Sequence, residues 1–338
     1  MKTKQIVFTK PNTAELTDAE ICPPGAGEVT VKIAYSAISA GTERANITGD
    51  KNIHIGAPEA QAVFPRVLGY SASGIVTEAG PGAASKPGDR VVVYWGRHTS
   101  AITVSEHGHI VRIEDDKIPL PEASLAMIAS FSLAAVRKIR PEIGESSLVM
   151  GLGILGQFAV QLCRAAGCCP VIAADPIAQR RSLALQLGAD AVLDPTEPDF
   201  AAKVRSLSRG GVQTAVEVTG RGEGFVQALD CMAKLGRIAL LGCTRDPNFT
   251  VDYYRKIHGP GISVIGAHTL ARPSEESYPG HWTHRDDIAA LLRLLSSGRI
   301  NFGALISEIH SPREAPEVYS RLLKNELPVG VLFDWSSL

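Results

Sequence analysis

Gly151-Leu152-Gly153-Ile154-Leu155-Gly156 spaces three glycines as a phosphate-gripping turn requires. The LVM before it is short and apolar, as a strand is, and GQFAVQLCRAAG after it is apolar at helical spacing. In that setting each glycine has a task. Gly151 permits the tight turn, Gly153 lets backbone approach a pyrophosphate, and Gly156 lets the helix close on the sheet. The amides of Ile154 and Leu155 then face the phosphates with the positive end of the helix dipole behind them. The next apolar run, PVIAAD, ends in Asp175, close to the ~20-residue offset at which an acid meets the adenosine ribose. A carboxylate there accepts from ribose hydroxyls and repels a 2′-phosphate, a like-charge contact costing several kcal/mol. NAD is therefore the expected dinucleotide, rather than NADP. Arg180 and Arg181 follow and could offer a phosphate partner; Arg181 reads as a solvated helix face.

Such a turn needs a sheet behind it. From Leu148 onward, strands LVMG, PVIAAD, AVLD, TAVEVTG, RIALLG and ISVIGA alternate with helices GQFAVQLCRAAG, IAQRRSLALQLG, FAAKVRSLS and FVQALDCMAKL. That alternation predicts an α/β fold with a doubly wound, parallel six-stranded sheet. The residues before Glu122 are instead short strands punctuated by Gly and Pro, which predicts a compact β domain. After Gly266 come a Pro- and His-rich loop, the amphipathic helix DDIAALLRLLSSG, a helix APEVYSRLLKN and a strand VGVLFDW. This tail is too small to fold alone. The expected division is 1–124 completed by 268–338, and 125–267.

Composition narrows the partners. The chain has 338 residues, 45% of them hydrophobic and 20% charged, with 34 Lys and Arg against 35 Asp and Glu. So balanced a surface argues against nucleic acid and anionic membrane and for a small-molecule substrate. The N-terminal MKTKQIVFTKP lacks the apolar run of a signal peptide, and no stretch approaches the ~20 apolar residues of a membrane span. A cytoplasmic location is expected. The six cysteines make no C-x-x-C pair, so no metal site is expected.

The order of parts resembles the medium-chain dehydrogenase/reductase superfamily, the alcohol and polyol dehydrogenases. VLGYSASGIV and KPGDRVVV match its Gly-His-Glu-x-x-Gly and Gly-Asp-Arg-Val segments, and SAISAGTE matches Gly-Ile-Cys-Gly-Thr-Asp. The resemblance covers nearly the whole chain. It implies a GroES-like β domain completed by the tail, with the cofactor cleft between the domains. It also implies that Val218, Thr219 and Arg221 contact adenosine, that Leu241, Gly242 and Cys243 lie beside the nicotinamide, and that Gly266, Ala267 and His268 lie near the carboxamide. Arg180 falls where relatives reach the ribose with a basic residue, and Trp95 where they line the substrate pocket. The pattern departs from the family at the metal. The ligand positions hold Ala40, Tyr70 and Ala129 or Ser130, the neighbouring acid is Ser71, and the Cys-rich structural lobe is absent.

Without a metal, a side chain must handle the proton left by hydride transfer, an effect worth about 10²–10⁴-fold. Tyr70, at a former ligand position, is the first candidate, although a phenol ionises near ~10 and needs neighbouring positive charge to act as a base. Thr42 matches a hydroxyl that relays the proton in zinc relatives. Glu43 matches an acid behind the metal and could orient or act as base; a buried structural pair is its alternative. His98 is the remaining contender. In HTLARPSEESYPGHWTHR, residues His281, Trp282 and His284 suit a polyhydroxylated ligand. The expected activity is an NAD(H)-dependent, zinc-independent alcohol/ketone oxidoreductase, with a sugar- or polyol-like substrate. The alternatives are an NADPH-dependent quinone or enoyl reductase, a non-catalytic NAD-binding protein, and a dehydrogenase that oxidises its substrate only transiently. The superfamily's pairing through the last sheet strand implies a homodimer, with a tetramer as the alternative.

Overall fold

The computed structural model describes residues 1–50, 63–245 and 247–338. They form two compact units: Met1–Ile128 with Ile288–Ser297 and Phe302–Leu338, and Ala129–Asp287 with Gly298–Asn301. The stretch 268–287, expected with the tail, clusters with the second unit. The reason is ionic: Asp287 binds Arg137 at 2.7 Å and Arg272 at 3.1 Å within that unit.

In the first unit the strand Glu28–Ala37 is the hub. It pairs antiparallel with Ser71–Ala79, Ala101–Ser105 and Val331–Asp334. Its Val29, Val31 and Ile33 alternate inward, while on the other face Lys32 is exposed and Thr30 is buried. Val331–Asp334 and Glu308–His310 come from the tail, which thus completes this sheet. The tail helix Ala315–Leu323 buries Ala315, Val318, Tyr319 and Leu322, one stripe at helical spacing. Its Tyr319 meets Phe8 edge-on at 4.8 Å. The short helix Ala40–Thr48 starts at Ser39 and stops where Gly49 turns left-handed, at φ 72°.

The second unit holds a six-stranded parallel sheet. Its spatial order is Ala191–Leu193, Val171–Ala174, Ser147–Met150, Val212–Glu217, Met232–Leu240, Ser263–Gly266. The chain builds outward from Ser147–Met150 to one side and then returns to the other. That reversal makes a topological switch point beside the strand that leads into the glycine turn. Ser147–Met150 and Val171–Ala174 are buried throughout, because helices cover both faces of a parallel sheet. One expectation shifts. The helix read through Leu235 ends at Asp230, and Met232 already pairs with Val212, because Leu235 takes a left-handed φ of 60° that no helix continues. Among the described residues no helix is long and apolar enough to cross a membrane.

Candidate active site

Ala174, Met150, Glu217, Leu240 and Gly266 are register partners across neighbouring strands. The residues that follow them therefore leave the sheet along one carboxyl edge, where open α/β sheets bind ligands. Nearly every residue expected to hold the cofactor is on that edge. Gly151 turns there with φ 96°, and a Cβ on Gly156 would collide with its carbonyl oxygen. Gly153, by contrast, has nothing within 4 Å of where a Cβ would stand. It is the N-cap of the helix Ile154–Ala165, and no side chain caps that terminus. The turn thus offers open space and uncapped N–H groups to an anion, which fits a dinucleotide pyrophosphate.

The neighbouring loops lock onto this turn. Thr219 packs on Gly151, and the Glu217 carbonyl accepts the N–H groups of Leu241 and Gly242, both at 2.9 Å. The buried Glu217 carboxylate accepts the Thr219 N–H at 2.7 Å and its hydroxyl, and burial pushes that carboxyl up. Sequence reasoning missed Glu217. The only available signal was an acid inside an apolar strand. Arg221 is the N-cap of Gly222–Asp230 and Cys243 is exposed. Val218 donates to the Met150 carbonyl at 2.8 Å, and Ala267 to the Leu240 carbonyl at 3.0 Å. Lys138, also unforeseen, donates to the carbonyls of Gly266 at 2.9 Å and Ala271 at 2.6 Å, fixing the turn that carries His268. Burial, with Arg245 and Lys138 nearby, holds His268 below the usual imidazole range.

Asp175 is only 3% exposed. Its carboxylate accepts the Leu152 and Ile177 N–H groups, each at 2.8 Å, and Arg180 lies 3.6 Å away. Arg181 is not a free surface cation. It pairs with Asp194 at 3.0 Å and donates to the Asp175 carbonyl at 2.7 Å.

In the first unit, Tyr70 and the start of the helix Ala40–Thr48 come together. The Tyr70 hydroxyl donates to Ser39 Oγ and lies 3.5 Å from Thr42 Oγ1. The Trp95 ring is 5.7 Å from that of Tyr70, and the Trp95 N–H donates to the Tyr70 carbonyl at 3.0 Å. Trp95 is held at φ 57°, a conformation costly for a bulky side chain. It is also 37% exposed.

Glu43 and His98 are each 1% exposed, so neither touches solvent. The Glu43 carboxylate accepts the Ser39 N–H at 2.8 Å and the Tyr319 hydroxyl at 2.6 Å, and His98 Nε2 is 3.2 Å from both oxygens. Trp335 N–H, which can only donate, gives to Ser36 Oγ at 2.8 Å, and Ser36 Oγ is 2.7 Å from His98 Nδ1. Ser36 thus links Trp335 to His98 Nδ1, and Nε2 of the same ring faces Glu43. Burial alone would push Glu43 up. The His98 ring and the bonds from His98, Tyr319 and Ser39 outweigh it and hold the carboxyl below its usual range. Both residues therefore act through neighbours, not on a ligand directly. Ser39, Ser36, Tyr319 and Trp335 were not foreseen; only Ser39 carried a signal, as a serine before a helix.

The loop residues of the second unit are engaged with protein. Trp282 lies under the Arg137 guanidinium, 3.6 Å from the ring centroid, and His281 pairs its main chain with Tyr278. His284 Nδ1 is 3.4 Å from Ser130 Oγ, and Phe131 meets its ring edge-on. Burial, then the Arg272 charge, pushes His284 down to about 3. It is thus a neutral imidazole throughout the physiological range. Among the described residues no three His, Cys, Asp or Glu gather to hold a metal ion.

Residues 155–283 match the zinc-binding dehydrogenase family, and residues 25–116 match the alcohol dehydrogenase GroES-like domain. The D-guloside 3-dehydrogenase of Escherichia coli is 25% identical, over 98% of this chain and 100% of its own. Among solved structures, an Escherichia coli alcohol dehydrogenase in complex with NADH superposes with a TM-score of 0.82 at 19% identity, covering 98% of this chain and 99% of the other. A Sinorhizobium meliloti protein bound to NADP gives 0.80 at 22% identity, covering 99% of each. Those likenesses show a shared fold. With one family domain matched in each unit and the glycine turn at the switch point of the parallel sheet, the chain belongs to the medium-chain dehydrogenase/reductase superfamily.

Proposed function

We propose that this chain moves hydride between NAD(H) and an alcohol or ketone without zinc, on a sugar- or polyol-like substrate. The observation that carries the reading is the hydroxyl cluster of Tyr70, Ser39 and Thr42. It occupies the segments that carry zinc ligands elsewhere in the superfamily. Ala40 offers no donor atom to zinc, and a phenol is a poor ligand for a metal that prefers thiolate, imidazole and carboxylate. No step of the mechanism is routed through a metal.

When bound, the dinucleotide accepts or supplies the hydride. The chain's own part is to hold it and to handle the proton. Open backbone at Gly153 and the uncapped helix start suit the pyrophosphate. Asp175 suits the ribose hydroxyls, and the engagement of Arg181 with Asp194 leaves that arginine committed elsewhere, which favours NAD. In oxidation, the Tyr70 phenolate takes the alcohol proton as hydride leaves the carbon, and the phenol so formed releases that proton to solvent; reduction runs in reverse. The first turn of Ala40–Thr48 beside the phenol favours its anion by about 0.3–1 kcal/mol, a partial answer to its weakness as a base. The D-guloside dehydrogenase among the relatives supports a sugar-like substrate.

The reading includes a homodimer across the edge strand Ser263–Gly266, where Val264 is 38% exposed. Light scattering that returns the mass of one chain would remove that part.

Fluorescence titration with NADH and NADPH tests the cofactor, and NADH formation from methyl glycosides, polyols and simple alcohols, with and without chelator, tests the reaction. The expected result is at least tenfold tighter NADH, turnover indifferent to chelator, and a Tyr70→Phe loss of about 10²–10⁴-fold in rate. Preference for NADPH, or stoichiometric zinc that a chelator removes together with activity, overturns the reading.

A further inference from the structure

Ser39 stands at the N-cap of Ala40–Thr48, where a serine hydroxyl ordinarily accepts a main-chain N–H from the first turn. It makes no such cap. Its oxygen accepts the Tyr70 hydroxyl instead, so a residue of the right type forgoes the usual local contact for a distant one.

The main chain of Ser39 is fixed from both sides by one residue. Its N–H donates to Glu43 Oε1 at 2.8 Å, and its carbonyl accepts the Glu43 N–H at 2.9 Å. Glu43 is immobile in turn, because Tyr319 and His98 hold its carboxylate and Ser36 and Trp335 hold His98. Five residues, Tyr319 and Trp335 of the tail among them, thus fix the main chain that carries one serine oxygen. Structural need alone does not explain that oxygen: Glu43, His98 and Tyr319 satisfy one another whether or not residue 39 carries a hydroxyl.

We propose that Ser39 is a positioning residue for Tyr70, fixing the direction of the phenol hydroxyl and helping it to give up its proton. This rests on the proton-handling role given to Tyr70 above. A phenol that donates to Ser39 can accept a hydrogen bond from an incoming alcohol hydroxyl, and takes the alcohol's proton only once it has lost its own. Once ionised, the phenolate accepts from the Ser39 hydroxyl, which can rotate, and a bond to a charged acceptor is about twice as strong as a neutral one. Ser39 therefore favours the ionised form. Among the described residues, the other titratable and charged groups on the elements around Tyr70 are Glu43 and Arg44 on the helix, Arg66 on the strand before Tyr70, and Arg97 and His98 on the loop after Trp95, with Tyr319 behind Glu43.

Ultraviolet difference titration reads this without substrate. Subtracting the Tyr70→Phe curve from wild type isolates the Tyr70 phenol, and the Ser39→Ala/Tyr70→Phe double variant isolates it in Ser39→Ala. The expected outcome is a midpoint about one pH unit higher in Ser39→Ala, a tenfold change in the ionisation constant, restored by Ser39→Thr. Equal midpoints in wild type and Ser39→Ala overturn the proposal. So does a wild-type Tyr70 that does not titrate before alkaline unfolding, or a shift that Ser39→Thr leaves in place. Ser39→Ala protein that fails to fold is replaced by Ser39→Gly, with the same expected shift. The outcomes separate from those of the wider reading. A midpoint shift with no hydride transfer leaves Ser39 in its role and removes the oxidoreductase, whereas turnover with equal midpoints does the reverse.

Discussion

Asp175 accepts the Leu152 main-chain N–H at 2.8 Å, so the acid that ends the strand Val171–Ala174 also clamps the glycine turn. Its other oxygen takes the Ile177 N–H at the head of the next helix. One carboxylate thereby sets both the turn and the helix entry. Asp175→Asn keeps the size but points an amide group at one of those N–H donors. A lost bond to a charged acceptor costs about 1.5–3 kcal/mol. We expect NAD affinity to fall by about 10–100-fold and the thermal midpoint to fall with it. Calorimetry and thermal denaturation on the same samples check this; weaker binding with unchanged melting would show that the clamp adds no stability.

The buried Glu43 network makes a pH prediction whose sign follows from its direction. Glu43 is held below its ordinary value of 4.5, by His98 and the hydrogen bonds that outweigh burial. A carboxyl lowered in the folded state contributes stability above its unfolded value and loses it as pH falls through the folded one. Urea midpoints of the wild type should therefore drop on acidification below about pH 4.5, more steeply than those of Glu43→Gln. At pH 7 the variant should already be less stable, by several kcal/mol for breaking one partner of a buried pair. Parallel acid profiles for the two proteins would show that Glu43 is not ionised in the folded state.

His284 gives the opposite chemical type and a separate window. Burial and Arg272 depress it from 6.5 to about 3. Between those values the unfolded chain binds a proton that the folded chain does not, so stability rises with pH across the window and is lost as pH falls from 6.5 toward 3. His284→Gln removes that linkage. The wild type should lose stability relative to the variant by a few kcal/mol between pH 7 and pH 4. The unfolding midpoint of each at four pH values is the measurement, and a constant difference between them would contradict a buried neutral imidazole.

Much of the architecture was legible because it is written in periodicity. Apolar runs such as LVM and VIAA are strands buried on both faces, and the crossovers between them carry helical stripes, so the sheet and the glycine turn could be read from local pattern. The tail strand was legible too, since VGVLFDW had no other sheet to join. What pattern could not show was partnership between distant polar residues. His98 and Tyr319 lie 55 and 276 positions from Glu43 in the chain, and nothing in their immediate neighbours announces the contact. The assignment of 268–287 failed for the same reason, because it turns on Asp287 meeting Arg137, 150 positions away. Ser39 was hidden because the residues before Glu122 read as strands, which left no place for the helix Ala40–Thr48 that it precedes.

Two glycines of the same turn separate what the fold needs from what the ligand needs. At Gly156 a Cβ would run into the Gly151 carbonyl, a backbone atom that can yield only if the turn or the helix moves. Gly156→Ala should therefore destabilise the second unit by about 1–3 kcal/mol and weaken dinucleotide binding as a consequence. At Gly153 the backbone is already at φ −66°, open to any L residue, and nothing lies within 4 Å of the new methyl. Gly153→Ala should leave stability unchanged, or raise it by about 0.4–1 kcal/mol through the unfolded chain. Yet the methyl would stand where backbone must approach a pyrophosphate, so NADH affinity should fall at least tenfold. Thermal melts without ligand and fluorescence titration with NADH, run on both variants, give four results. If Gly153→Ala bound NADH as the wild type does, the open space at that glycine would not be the phosphate's, and the nucleotide would have to lie elsewhere on the sheet edge.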